Sequence, residues 1–264
     1  MTRIGQLFER LRKENRKGMV AYLTAGDPTP DATPGLVAAL ERGGADLIEF
    51  GVPFSDPIAD GPVIQAAGDR AIRAGMTMRR VLETAAEIRR TSQIPILLFT
   101  YLNPVLRYGF ARLAADAKAA GIDGCLLIDV SVEEAGEYVK VMRDAGLDTV
   151  FIASPTSTDH RLKLAAQYSS GFIYLVSRTG ITGEQQSISH TALPLIERMR
   201  ALTDLPLAMG FGISNPDQVA AIASHADAAV VGSAIVRQIA RDPAGLEAFM
   251  RELTRPLRGN AAIS

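Results

Sequence analysis

The chain has 264 residues, 47 % of them hydrophobic and 22 % charged, which is enough to bury one large core and predicts a single domain over residues 1–264. Its 28 basic residues nearly balance its 29 acidic residues, and no basic cluster stands apart from predicted helix faces, which argues against a nucleic-acid or anionic-membrane partner. Cys125 is the only cysteine and nowhere do about 18 apolar residues run together, so we expect a cytoplasmic protein without a disulfide or a membrane span.

The first predicted element is an amphipathic helix at the start of the chain. Ile4, Leu7, Phe8 and Leu11 lie at helical spacing among charged residues. A joint between helix and strand then recurs, as GGADLIEF, AGIDGCLL and AGLDTVFI, and as HADAAVVG without the glycine. Glycine supplies the left-handed residue that ends many helices, and each apolar run is long enough for one strand, which is the pattern of repeated βα units.

Eight strands and the helices between them follow from these patterns. The strands are predicted at 18–23, 46–51, 94–101, 124–128, 148–153, 172–176, 206–210 and 228–231. The helices are predicted at 30–42, 62–90 with a break near Gly75, 104–120, 132–145, 158–168, 191–201, 215–224 and 242–257. Eight alternating pairs with nearly continuous apolar strands favour an α/β fold, a (βα)8 TIM barrel with an extra N-terminal helix, over an open doubly wound sheet.

Two acidic residues stand out around the second predicted strand. Glu49 lies inside its apolar run, and an unpaired carboxylate in an apolar interior costs several kcal/mol or becomes neutral, so it is more often a chemical group than a packing residue. Asp60 follows on a loop rich in proline and glycine, a segment type that often carries functional acids. Two carboxylates in different environments predict divided acid and base roles. A structural ion pair is the alternative for Glu49.

Glycine-rich segments follow the last three predicted strands. GFGIS (210–214) follows the seventh strand, and GSAIV (232–236) follows the eighth and opens a helix. Loops at these positions, together with a helix N-terminus, form the common phosphate site of a TIM barrel. The predicted phosphate-binding residues are Gly183, Gly212, Gly232 and Ser233. Ordinary turn glycines are the alternative.

The loop after the sixth predicted strand, residues 177–190, is a candidate lid. It combines two glycines with several small polar residues, and loops of about 14 residues are uncommon without a function. Thr182 and Gly183 would be its hinge-side contacts. A solvent-exposed connection is the alternative. The histidines and Cys125 show no metal-ligand spacing, so no metal is predicted.

These segments closely resemble the tryptophan synthase alpha chain family. The resemblance runs through YLTAGDP (22–28), GVPFSDPIADGPVIQ (51–65), YLNPVLRYG (101–109), SPTSTDHRLK (154–163) and SRTGITG (177–183) to GFGIS and GSAIV. It implies a lyase of L-tryptophan biosynthesis that splits indole-3-glycerol phosphate into indole and glyceraldehyde 3-phosphate by a retro-aldol reaction. In that family the acid matching Glu49 is the general acid/base, and the acid matching Asp60 interacts with the indole N–H.

An indole pocket follows from the same chemistry. Apolar residues near the predicted strand ends would hold the ring, although each is equally credible as plain core: Tyr22, Phe99, Leu126, Ile152 and Phe211. Tyr174 matches a family position that lines the same pocket, and Thr182 would contact the substrate from the lid.

The resemblance also implies a partner. The family forms an alpha2beta2 tetramer with a beta subunit that supplies pyridoxal phosphate, so no cofactor is expected in this chain. Contacts with the partner are expected at Pro53, Asp56, Asn103 and Ser131, and residues 52–60 and 177–190 are expected to order when it docks. Ser131 stands where the family usually has proline, which predicts weaker docking because serine leaves the backbone less restricted.

Three other functions stay open. A sugar-phosphate isomerase or epimerase would use the same phosphate loops, but Glu49 and Asp60 in this sequence context argue against it. A non-catalytic barrel that only activates a partner would not need both acids. A partner-independent indole-3-glycerol phosphate lyase would carry the same residues, so residue identity does not separate it from a complexed subunit.

Overall fold

A closed barrel of parallel strands forms the centre of the molecule. The computed structural model describes residues 1–176, 192–210 and 212–258. Within them the strands run in sequence order around the barrel, and β8 pairs with β1 to close it. The strands are β1 (Gly18–Thr24), β2 (Leu47–Gly51), β3 (Ile96–Thr100), β4 (Gly124–Leu127), β5 (Asp148–Ala153), β6 (Ile173–Val176), β7 (Leu207–Gly210) and β8 (Ala228–Val231). The TIM-barrel prediction is confirmed.

Helices cover the outside of the barrel, except for α1, which precedes β1. They are α1 (Arg3–Lys13), α2 (Thr33–Gly43), α3 (Pro62–Arg73), α4 (Met78–Ile88), α5 (Leu102–Tyr108), α6 (Phe110–Ala119), α7 (Gly136–Asp144), α8 (Asp159–Tyr168), α9 (Ala192–Arg200), α10 (Pro216–Ala223), α11 (Ser233–Arg241) and α12 (Leu246–Thr254). Short 3-10 turns lie at Pro30–Ala32, Val132–Glu134, Pro243–Gly245 and Arg255–Leu257.

Several predicted helices differ from the observed ones, and those at 30–42 and 132–145 each begin with a 3-10 turn. The segment 104–120 is two helices, because Gly109 adopts a positive φ of 91° that ends α5 before α6 begins. The segment 242–257 is one helix, α12, between two 3-10 turns. The predicted break near Gly75 is present between α3 and α4, where that glycine has a φ of 79°.

The N-terminal helix closes one end of the barrel. Its apolar face, made by Ile4, Leu7, Phe8 and Leu11, is buried against inward-facing strand residues, and the rings of Phe8 and Phe172 lie 5.8 Å apart. Each fully buried side chain of this kind contributes about 1.5–3 kcal/mol to folding. We call this the lower end, where the strands begin. Because α1 fills it, a ligand must enter from the upper end, where the strands finish.

Aspartates from the recurring joint hold the lower end together. We call them the lower acids: Asp46, Asp123, Asp148 and Asp227. Asp46 accepts a backbone hydrogen bond from Met19 of β1 at 2.9 Å and two from the guanidinium of Arg16 at 3.0 and 2.8 Å. Asp123 accepts one from the first residue of β3 at 2.9 Å and forms ion pairs with Arg89 and Arg3 at 2.9 and 3.0 Å.

The other two lower acids are paired in the same manner. Asp227 accepts a hydrogen bond from the N–H of Leu207 at 2.9 Å and pairs with Arg200. Asp148 accepts hydrogen bonds from the hydroxyls of Thr2 and Ser170. These bonds join strand starts that lie far apart in sequence, so the acids of the joint serve the fold.

Candidate active site

Glu49 is a buried acid near the upper end of the barrel. It lies in β2, and alternation along the strand puts it on the inward face with Leu47. The residue is 1 % exposed, and its Oε1 atom has no hydrogen-bond partner among the described residues. Burial raises the pKa of Glu49 to about 8. At neutral pH the group therefore holds a proton that it can give away.

Two tyrosines flank Glu49. Tyr22 faces it in register on β1, and Tyr174 extends from β6. Burial raises the pKa of each phenol, and the next largest cause is the charge of Asp60 for Tyr22 and the charge of Glu49 for Tyr174. Glycines at two strand ends make room for these rings, since a Cβ atom on Gly51 would overlap the ring of Tyr22 and one on Gly210 would overlap the hydroxyl of Tyr174.

Asp60 lies on the loop after β2, where the side chain of Tyr101 holds it. The hydroxyl of Tyr101 accepts a hydrogen bond from the N–H of Ala59 at 3.1 Å and donates one to the carboxylate of Asp60. Burial raises the pKa of Asp60 to about 6, and the Tyr101 hydrogen bond acts in the opposite direction. Asp60 is therefore mostly ionised at neutral pH, whereas Glu49 is mostly protonated.

A cavity of about 510 Å³ opens beside these residues. Its volume falls in the usual range for small-molecule sites, about 300–1,000 Å³. The residues that line it, among those described, are Ala59, Asp60, Gly61, Pro62, Val63, Ile64, Phe99, Ile128, Ile152, Tyr174, Val176, Gly212, Ile213, Ser214, Val230, Gly232, Ser233 and Arg237. The predicted site residues in this wall are Asp60, Phe99, Ile152, Tyr174, Gly212, Gly232 and Ser233.

Three predicted residues lie beneath the cavity wall. Glu49 is covered by its neighbours, and the ring of Tyr22 packs edge-on against Phe99 with the centroids 5.4 Å apart. Leu126 is fully buried among the inward-facing residues that contact α1. Thr182, Gly183 and Phe211, and the predicted lid at 177–190, lie outside the described residues.

The glycine-rich segments form one side of the cavity. Gly212 has a φ of 70°, which favours glycine. Gly232 precedes α11 and Ser233 begins it, so the free N–H groups of the first helical turn and the positive end of the helix dipole lie beside the cavity. Such an arrangement binds anions well.

Some lining residues were absent from the sequence predictions. Ile128 and Val176 each lie two residues beyond a predicted pocket residue, so strand alternation could have indicated them. Arg237 lies four residues after Ser233 on α11, which puts the two on one face of that helix. Ser214 ends the predicted GFGIS segment and the start of α3 lies in the segment 51–65, although the sequence analysis names neither as a site residue.

The predicted partner contacts lie in loops and a helix start at the upper end. Asp56, Asn103 and Ser131 are exposed and Pro53 is partly buried, and none of them lines the cavity. Ser131 has a φ of −65° and donates a hydrogen bond to Glu133 at 2.6 Å.

Two further features concern metals and membranes. The described part of the chain gathers no group of three or more histidine, cysteine, aspartate or glutamate side chains that could hold a metal ion. Of the helices that the structure describes, none is long and apolar enough to cross a membrane.

Comparison with known proteins gives a consistent result. The family model described as tryptophan synthase alpha chain matches residues 8–261. The chain is 65 % identical to the tryptophan synthase alpha chain of Solibacter usitatus, covering 97 % of this chain and 98 % of that one. It is 48 % identical to the alpha chain of Geotalea daltonii, with 90 % of each chain covered.

Solved structures agree. A chain of Mycobacterium tuberculosis tryptophan synthase superposes with a TM-score of 0.91 at 36 % identity, covering 97 % of this chain and 98 % of that one. Tryptophan synthase subunit alpha of Legionella pneumophila superposes with a TM-score of 0.88 at 34 % identity and the same coverage.

Proposed function

This chain belongs to the tryptophan synthase alpha chain family and cleaves indole-3-glycerol phosphate into indole and glyceraldehyde 3-phosphate, and from that premise we propose which of its residues carry the reaction. The observation that carries the proposal is Glu49, a buried carboxyl whose Oε1 atom has no hydrogen-bond partner in the described part of the chain and whose pKa is raised to about 8. Cleavage needs a proton donor that later becomes a proton acceptor, and a carboxyl with this pKa can do both at neutral pH.

Glu49 is the general acid and then the general base. It gives its proton to carbon 3 of the indole ring, so that the ring can accept the electrons of the breaking carbon–carbon bond. The glycerol hydroxyl next to that bond then loses its proton to the carboxylate and becomes the aldehyde of glyceraldehyde 3-phosphate. The electron pair of the broken carbon–carbon bond returns to the ring and restores its aromaticity, and the transferred proton stays as the hydrogen on carbon 3 of the released indole.

Asp60 stabilises the positive charge that develops at the indole nitrogen. Its pKa of about 6 keeps it ionised at neutral pH, and Tyr101 fixes the loop that carries it. Because the charge on nitrogen grows as carbon 3 is protonated, a fixed carboxylate lowers the energy of the transition state more than that of the bound substrate.

The indole ring and the phosphate occupy different sides of the cavity. We assign the ring to the apolar side, with Tyr22, Phe99, Ile152, Tyr174, Phe211 and Thr182 as its contacts, whereas Leu126, predicted in the same group, lies deeper in the core. The phosphate binds the backbone N–H groups of Gly183, Gly212, Gly232 and Ser233, a choice supported by the helix start beside the cavity and the positive φ of Gly212.

The partner is a beta subunit in an alpha2beta2 tetramer in the cytoplasm, and the pyridoxal phosphate belongs to that subunit. Pro53, Asp56, Asn103 and Ser131 contact it at the upper end. The proposal is supported by two apolar side chains nearby, because Ile58 in the loop after β2 is 77 % exposed and Leu106 on α5 is 56 % exposed. Handing indole directly to the partner prevents the loss of a small apolar product.

One experiment separates this proposal from its alternatives. The purified chain is assayed for indole formation alone and with saturating beta subunit. We expect slow cleavage alone and faster cleavage in the complex, since docking orders the loops around the site. Full rate without the partner indicates an independent lyase, and no cleavage in either condition indicates a barrel that only activates its partner.

A further inference from the structure

The cavity wall carries two charged side chains among the described residues, and they have opposite sign. Asp60 follows β2 and Arg237 lies on α11, after β8. In the closed barrel β1 separates those two strands, so the charges lie on different parts of the wall. Asp60 has a role in the proposed chemistry, whereas Arg237 has none so far.

Arg237 is free to bind a ligand. Its side chain is exposed, and its guanidinium has no hydrogen-bond or ion-pair partner in the parts of the chain that the structure describes. Arginines at the lower end are used differently, since Arg16 and Arg89 are bound to the lower acids Asp46 and Asp123.

The position of Arg237 on its helix directs it towards the anion site. Arg237 and Ser233 are four residues apart on α11, so both side chains occupy one face of the helix. Side chains on a helix lean towards its N-terminus, which brings the guanidinium towards Gly232 and Ser233. Both of these residues line the cavity together with Arg237.

We propose that Arg237 is a binding residue for the phosphate of the substrate, an inference that rests on the proposed function. Backbone N–H groups orient a phosphate, but they are neutral. The guanidinium adds a full positive charge and can donate two parallel hydrogen bonds to phosphate oxygens. Because Arg237 is exposed, salt screens its contribution, and part of its effect is to attract the dianion into the cavity.

The test uses two variants of this residue and one control. Arg237→Gln removes the charge, and Arg237→Lys keeps the charge without the planar fork. Arg241→Gln removes the same charge from an exposed position one turn further along α11, outside the cavity wall. For each protein, calorimetry measures the Kd of glycerol 3-phosphate at low and high salt, and the lyase assay with the beta subunit measures kcat and KM.

We expect Arg237→Gln to raise both the Kd and the KM by about three- to tenfold at low salt, the effect of one partly exposed ion pair. The kcat should stay within about twofold, because the phosphate is bound equally in the substrate and the transition state. Arg237→Lys should recover part of the loss, and the difference from the parent should shrink at high salt. Arg241→Gln should behave as the parent.

Other results overturn the inference. If the parent cleaves its substrate and Arg237→Gln binds glycerol 3-phosphate as tightly as the parent does, Arg237 has no role while the proposed function stands. An equal loss in Arg241→Gln would show a general effect of net charge. A parent that does not bind glycerol 3-phosphate at all would remove the phosphate site itself, and the proposed function with it.

Discussion

Glu49 and the four lower acids are held in opposite ways. At the lower end, each acid of the recurring joint accepts hydrogen bonds from a neighbouring strand, an arginine or a hydroxyl. In β2, Glu49 is buried with one carboxylate oxygen that has no hydrogen-bond partner among the described residues. A buried acid that is fully paired supports the fold, whereas one left unpaired is available for proton transfer.

Two acids three residues apart show the contrast most clearly. Asp46 directly precedes β2 and binds Arg16 and the N–H of Met19, while Glu49, within β2, has no such partners among the described residues. The pKa of another lower acid, Asp227, moves in the opposite direction from that of Glu49. Burial would raise the pKa of Asp227, but the hydrogen bond from Leu207 and the guanidinium of Arg200 hold it below its usual value.

The largest expected effect is on catalysis at the upper end. Glu49→Gln keeps the shape of the side chain but transfers no proton, so we expect a loss of at least about 100-fold in lyase rate, measured as indole formation with saturating beta subunit. The circular dichroism spectrum should not change. Turnover near that of the parent would remove Glu49 from the mechanism.

The second prediction concerns pH and the same pair of proteins. The pKa of Glu49 is about 8 in the folded state against an ordinary 4.5. As the pH rises, the unfolded state therefore loses this proton at a lower pH than the folded state does. The carboxyl therefore costs no stability below about pH 4.5, an increasing amount as the pH rises towards 8, and its full amount above that.

Parallel urea titrations check this prediction. The free energy of unfolding of Glu49→Gln minus that of the parent should increase as the pH rises from 5 to 8.5. A constant difference between the two proteins across this range would mean that the pKa of Glu49 is not raised.

The third prediction concerns a substitution at the lower end. Asp123→Asn removes the charge that binds Arg89 and Arg3, and we expect it to lower the free energy of unfolding by about 2 kcal/mol. The lyase rate of the folded variant should be close to that of the parent, because Asp123 lies at the opposite end from the cavity. A large loss of rate without a loss of stability would show that the two ends are not separate.

The smallest expected effect concerns the residue that holds Asp60. The hydroxyl of Tyr101 lowers the pKa of Asp60 against the effect of burial, so Tyr101→Phe should raise that pKa above about 6. The acidic limb of the profile of kcat/KM against pH should then move to higher pH, with only a modest loss at the optimum. A profile that superposes on that of the parent would mean that Tyr101 does not set the charge of Asp60.

The sequence is sufficient to indicate the barrel and its two acids, for physical reasons that are local. Strand length, apolar runs and helix-ending glycines recur within a few residues of one another, and Glu49 is conspicuous because its own neighbours are apolar. The division at Gly109 was missed because apolar residues continue on both sides of it, while the φ that ends α5 depends on the folded backbone.

Most of the features that could not be predicted from the sequence depend on contacts between residues far apart in the chain. The aspartates of the joint are visible in the sequence, but the pairing of Asp123 with Arg3 joins positions 120 residues apart. Arg237 is four residues from a predicted phosphate ligand, yet only the cavity identifies it as part of the wall. Leu126 shares its strand face with Ile128, and the depth of each within the barrel separates a core residue from a wall residue.

The protonation state of Glu49 is the most direct test of the account. Infrared difference spectroscopy of the parent against Glu49→Gln, recorded across a pH titration, resolves the carbonyl band of this one protonated carboxyl. We predict that the band persists at neutral pH and disappears with a midpoint near a pKa of about 8. A midpoint at or below the ordinary value of 4.5 would contradict the claim that burial without a partner makes Glu49 the proton donor.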